Sequence, residues 1–262
     1  MELLPIDDLS DHLKILIYGR PDAGKTTLGS SGANHPEFSP TVIMDMEGGL
    51  QSVRWGGRGL LRSPRIDTTE KIDEFIKSAY NKEGAFADAK CLVVDSLTKM
   101  AKVLLTDIVR KKHDVRARKG GLDEIQLSDY GDLGKAMERY VDYLINMEMH
   151  VVFIALEKDV KEDEVVKEIT LNLPGGLPTK IIAACDNVFA LAKLPATPAS
   201  DGQPAEDPRV VMLTEQKGIQ FARTRNEEFR KELGQFIINP TLPGIWDSYQ
   251  RALAVGRDKV QG

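Results

Sequence analysis

Gly19, Gly24, Lys25 and Thr26 fall at the spacing G-x-x-x-x-G-K-[ST] within residues 13–28, LKILIYGRPDAGKTTL. Each residue type has a task in holding a polyphosphate. Gly19 and Gly24 let the backbone curl so that successive N–H groups turn towards an anion. A helix starting near Gly24 adds its positive dipole end. The Lys25 ammonium can reach β- and γ-phosphates, and the Thr26 hydroxyl suits a Mg²⁺ ligand. Arg20, Pro21, Asp22, Ala23 and Thr27 complete the loop. The competing reading is a glycine-rich turn with an incidental lysine. It does not account for the placing of the pattern between an apolar run and a small-residue helix. The stretch predicts a site for a nucleoside triphosphate, ATP with Mg²⁺.

Further residues could act on that ligand. Asp95 ends the apolar run VVDS, where an acid can hold the Mg²⁺ shell. Ser96 either supports the metal or the attacking water, or simply caps a helix. Asp45 and Glu47 follow a second apolar run in MDMEGG. Hydrolysis needs a carboxylate to orient water, and Glu47 is the choice because Gly48 and Gly49 free the backbone beside it; otherwise both are solvated loop acids. Glu157 ends another run, as a γ-phosphate sensor or a loop acid. Arg223 and Arg225, in FARTRNE, are either arginine fingers reaching a neighbouring subunit's triphosphate or an ordinary basic strand edge.

Alternating strands and helices must position these groups. Residues 15–18, 41–45, 90–95 and 150–156 read as buried strands. Ile72, Phe75, Ile76 and Ala79 place a helix over 70–81. A second helix spans 97–112, and Leu133, Met137, Tyr140, Val141, Leu144 and Ile145 mark a third. Residues 51–67, rich in Gly and Arg, read as irregular. This order predicts an α/β, mainly parallel sheet flanked by helices, with antiparallel strands on the C-terminal side. Residues 159–173 read as a hairpin or an ordered excursion, and 179–185 as a short helix. Residues 187–193, 209–214 and 219–224 read as consecutive antiparallel strands, the first two joined by a mobile Pro-rich tip. Helices near 227–233 and 246–255 end the chain. The expected organisation is an arm (1–12), an ATPase core (13–226) and a helical tail (227–262).

Bulk properties narrow the class. At 262 residues, 42% hydrophobic and 29% charged, the chain is an ordinary globular protein. No apolar run approaches the ~20 residues of a membrane span, and the acidic N-terminus is unlike a signal peptide. Two cysteines, Cys91 and Cys185, lack metal-like spacing and read as buried thiols, with a cytoplasmic setting. A net charge of −5 does not advertise nucleic-acid binding, yet a local patch can serve.

The phosphate loop, MDMEGG, VVDSLTKM, and HVVFIALE before PGGLPTKIIAACDNVFAL resemble, in that order, the RecA-like recombinase core. More narrowly, GKTTL, D-x-E-G-G-L and DSLT resemble the single-domain RecA-like phage ATPases of the Sak-four type, which act as single-strand recombinases or annealing proteins. The resemblance covers residues 13–225. It implies a water-activating role for Glu47, a Mg²⁺-associated role for Asp95 and a trans-acting basic pair in Arg223 and Arg225. Glu157 stands where bacterial RecA has a glutamine coupling nucleotide to DNA, so that coupling does not carry over directly. Implied partners are single-stranded DNA, a single-strand-binding protein and further copies of the chain. The implied setting is a bacterial or phage-infected cell.

Residues 110–119, RKKHDVRARK, hold six Lys/Arg against one Asp. Arg110, Lys111, Lys112, Arg116, Arg118 and Lys119 would contact DNA phosphates if this is the DNA-facing loop of such proteins, with salt-sensitive binding; a solvated helix end is the alternative. Four arginines around Trp55 suit base stacking or a subunit interface, or Trp55 is a core anchor. A small-molecule kinase and a nucleotide-gated adaptor with little turnover are the rival functions.

Overall fold

A computed structural model describes residues 12–48, 53, 59–117, 125–196 and 207–261, with the backbone alone for 113–117 and 257–261. Residues 1–11 of the expected arm, Trp55 with Arg54 and Arg58, Arg118, Lys119 and most of the Pro-rich tip lie outside the described residues.

Six strands run parallel in the order β7 (Asn187–Leu194), β1 (Lys14–Gly19), β5 (His150–Glu162), β4 (Cys91–Asp95), β2 (Thr41–Asp45) and β3 (Leu60–Arg62). Antiparallel β8 (Arg209–Leu213) and β10 (Phe236–Ile238) extend the β7 edge. β6 (Val165–Leu171) forms a hairpin with the outer half of β5, and β9 (Arg223–Thr224) pairs with the start of β7. The fold class read from the sequence is the one found. β1, β2 and β4 are buried at every position, as strands covered on both faces must be.

Alternation along these strands builds two apolar layers. Leu16, Tyr18, Met44, Val94 and Phe153 face α2 (Thr69–Tyr80), α3 (Leu97–Ala117), α4 (Leu127–Ile145) and α5 (Leu177–Ala184). Ile15, Ile17, Ile43, Val93 and Ile154 face α1 (Lys25–Ser30), α6 (Glu227–Leu233) and α7 (Leu242–Gln261), which contribute Leu28, Phe229, Leu242, Ile245 and Trp246. Thr68 caps α2 by accepting from Lys71 N, and Asn226 caps α6 by accepting from Phe229 N. Among the described residues no helix is long and apolar enough to cross a membrane.

Several expectations change. Residues 51–67 are not wholly irregular, because β3 adds to the exposed edge of β2. Strand β5 continues past Leu156 to Glu162 because β6 supplies a partner for its charged half. The third C-terminal strand shrinks to Arg223 and Thr224. α3 runs on through Ala117, so Arg110, Lys111 and Lys112 sit within a helix rather than at its end. The tail contains β10 as well as helices, and α7 is longer than 246–255.

Candidate functional site

Parallel strands deliver their last residues to one edge of the sheet, where ligands gather in such folds. β1 ends there at Gly19, in register with Leu156 of β5 and Leu191 of β7. A side chain at position 19 would run into the Leu191 carbonyl oxygen, so glycine is required there by close approach. Asp22 and Gly24 take left-handed backbone, with φ of 60° and 90°. Gly24 is the N-cap of α1 and offers no side-chain cap, which leaves first-turn amides for an anion.

Lys25 is buried, and its Nζ donates to Gly19 O at 2.9 Å and Arg20 O at 2.5 Å. These carbonyls hold the ammonium over the loop in the position a phosphate oxygen would compete for. Burial lowers its pKa, opposed by the Asp95, Glu157, Asp22 and Glu47 carboxylates. The Thr26 hydroxyl donates to Asp95 Oδ2 at 2.6 Å. Burial raises the Asp95 pKa; Thr26 opposes this, Glu47 and Asp45 reinforce it, and Lys25 opposes it. A hydroxyl and a carboxylate already in contact, beside a phosphate loop, are the donors a Mg²⁺ with substrate phosphates would use. Among the described residues no cluster of three His, Cys, Asp or Glu side chains could hold a metal, so phosphate oxygens and water would complete the shell.

β2 and β4 pair in register, Asp45 opposite Asp95, which brings the two acidic strand ends together. Asp45 Oδ1 accepts from Gly48 N at 2.7 Å and so shapes the turn that carries Glu47. Ser96 Oγ donates to Glu47 Oε1 at 2.7 Å and accepts from Lys99 N at 3.2 Å. It therefore caps α3 and also orients the candidate base. Glu157 pairs with Arg20 at 2.8 Å, which places its carboxylate against the phosphate loop. Thr98 Oγ1 accepts from Leu156 N at 3.0 Å and ties the middle of β5 to α3, a contact the sequence does not advertise.

Lys25, Thr26, Asp95, Glu47 and Glu157 thus meet at one edge. Arg223 and Arg225 do not join them. Arg223 is paired with Val188 near the start of β7, away from the edge where Gly19 lies. Its Nη2 donates to Ile182 O and Cys185 O, both at 2.7 Å. Arg225 donates to Ala183 O at 3.0 Å and meets Asp186 at 2.6 Å. Within one chain both arginines satisfy carbonyls at the end of α5. The described members of the basic run are also paired. Arg110 and Lys111 bind Asp107 at 2.6 and 2.7 Å, and Lys112 binds Asp129 at 3.1 Å and Asp132. The side chain of Arg116 lies outside the described residues, as do Arg118 and Lys119. Cys91 and Cys185 are buried free thiols, each pushed up to about 12 by burial.

A cleft of about 820 Å³ opens from Lys25 and Thr26 towards Lys193, Val210 and residues 239–241. Those far-wall residues belong to no motif, and sequence reasoning missed them.

The family model described as AAA domain (AAA_24) matches residues 11–226. No curated protein matches the chain. Among solved structures, it is similar to the RadB recombinase, at 12% identity with 86% of each chain covered and a TM-score of 0.46. It is also similar to the flagellar accessory protein FlaH from Methanocaldococcus jannaschii, at 14% identity with 80% of each chain covered and a TM-score of 0.36. With a phosphate loop and a strand-end acid at one edge of a mostly parallel sheet, and the family model matched over most of the chain, this chain belongs to the AAA_24 family of AAA-domain proteins.

Proposed function

We propose that the protein is a Mg²⁺-dependent ATPase that assembles with its own copies and acts on single-stranded DNA in phage-type recombination or strand annealing. The observation that carries the ATPase part is a pair of adjoining contacts, Thr26 with Asp95 and Ser96 with Glu47. They set a metal-binding pair and a carboxylate base side by side at the mouth of the phosphate loop.

Lys25 exchanges the carbonyls of Gly19 and Arg20 for phosphate oxygens when ATP enters. Thr26 and Asp95 would hold Mg²⁺, which would neutralise charge on the phosphates. Glu47, fixed by Ser96, takes a proton from the water that attacks the γ-phosphorus. Glu157 answers to the loop through Arg20, so a change in phosphate occupancy reaches β5 and its hairpin. Arg223 and Arg225 contact a neighbouring subunit's triphosphate, in exchange for the α5 carbonyls. DNA contact falls to residues 110–119, where Arg110 and Lys111 remain well exposed despite their pairing with Asp107. The DNA role rests on the resemblance to recombinase cores and on this basic run.

The test is retention of single-stranded DNA with and without a non-hydrolysable ATP analogue, for wild type and Lys25→Ala. Nucleotide-dependent retention that disappears in the variant is the expected result. Equal retention by both proteins, with or without nucleotide, would sink the coupling.

A further inference from the structure

The cleft above the phosphate loop has a wall that no motif announces. Its volume of about 820 Å³ lies within the range of small-ligand pockets and exceeds the needs of phosphates alone. The far side is made by residues 239–241, which lie beyond the family match at 226.

The segment is firmly held. Asn239 N donates to Val210 O at 2.7 Å, and Val210 N donates to Asn239 Oδ1 at 2.9 Å. Asn239 takes a left-handed φ of 50°, which turns the chain from β10 into α7. Leu242 N donates to Ser31 Oγ at 2.8 Å and ties the start of α7 to the end of α1. Val210 approaches the loop itself: a Cβ built on Gly24 would lie 3.4 Å from its Cγ2.

The chemistry left over suits a nucleoside. Asn239 Oδ1 is taken by an amide, so the Nδ2 group keeps its donors. Thr241 Oγ1 accepts from Gly244 N at 3.2 Å, so its hydroxyl proton is free to be given elsewhere. Val210 and Pro240 supply apolar surface. Apolar surface with donors beside it matches a planar base carrying acceptor nitrogens and a ribose carrying oxygens. We propose that residues 239–241, with Val210, form the nucleoside-holding wall, taking the base and ribose of a triphosphate whose phosphates lie on the loop. This assignment rests on the nucleotide-binding reading of Lys25 and Thr26.

The test compares ATP with inorganic tripolyphosphate, each with Mg²⁺, by titration calorimetry. Asn239→Gly removes the amide yet tolerates left-handed backbone, and Pro240→Ala removes the ring. The double variant should bind ATP about tenfold more weakly and tripolyphosphate as tightly as wild type, which also shows an intact loop. Unchanged ATP affinity, or equal losses for both ligands, overturns the wall. Lys25→Ala with undiminished affinity for both ligands instead overturns the nucleotide reading, so the two failures are distinguishable. Photolabelling the wild type with 8-azido-ATP needs no variant that must fold. Label in a peptide containing residues 239–241 is expected, and label confined to other segments overturns the assignment.

Discussion

Replacing Ser96 with alanine removes one hydroxyl that makes two hydrogen bonds, and the two have separable consequences. The bond accepted from Lys99 N is the N-cap of α3. Its loss costs about 1 kcal/mol, or roughly 2–4 °C in melting temperature for a chain of this size. The bond given to Glu47 Oε1 at 2.7 Å orients the candidate base. Glu47 is exposed, so the value for an ordinary hydrogen bond applies rather than the larger one for buried charged groups, about 1 kcal/mol, and kcat should fall about fivefold. KM for ATP should hardly move, because Ser96 hydrogen-bonds to Glu47 and Lys99 and to no part of the phosphate loop. Glu47→Gln should cost about 10²- to 10⁴-fold in kcat. Adding Ser96→Ala to that variant should cost no more rate, since no carboxylate is left to orient, while the loss in melting temperature persists. Steady-state kinetics and thermal melts on the four proteins make the cycle. A fivefold loss in both backgrounds would refute the claim that Ser96 acts through Glu47.

Two other predictions concern groups at a distance from the phosphate loop. The buried Lys14 Nζ donates to Met147 O and Met149 O, and burial lowers its pKa from 10.5 to about 8. Below pH 8 the ammonium is charged in both folded and unfolded chains, and the fold bears the full cost, about 3 kcal/mol. That cost fades as pH rises to 10.5, so wild type should gain about that much stability relative to Lys14→Met between pH 7 and 10.5; a stability difference independent of pH contradicts it. If Arg225 acts in trans, Arg225→Ala and Lys25→Ala are each inactive, yet mixing them should restore part of the hydrolysis. No recovery at any mixing ratio would leave Arg225 with its role at Asp186 and Ala183 alone.

The legible parts of this protein are those whose residues carry their own instructions. Residues 41–45 and 227–233 form elements with the bounds read from sequence, the first because an unbroken apolar run needs two covered faces, the second because Asn226 and Gly234 punctuate it. The meeting of the phosphate loop, Asp95 and Glu47 at one edge is legible because the glycines and acids stand at or just past strand ends, and parallel strands must bring those ends together. Leu60–Arg62 and Phe236–Ile238 were not, because three half-exposed residues become a strand only when a neighbour offers its edge. Arg223 and Arg225 show a different limit: a basic strand end looks the same whether it reaches a phosphate or caps a helix whose carbonyls are distant in sequence. The far wall of the cleft was silent for the same reason, since Asn239 gains its position from Val210 on another strand.

The most direct test of the account is steady-state ATP hydrolysis by the wild-type protein with Mg²⁺, with and without single-stranded DNA, at low and moderate salt. The account predicts hydrolysis that single strands stimulate and that loses this stimulation as salt rises. Hydrolysis indifferent to DNA at every salt concentration would contradict it.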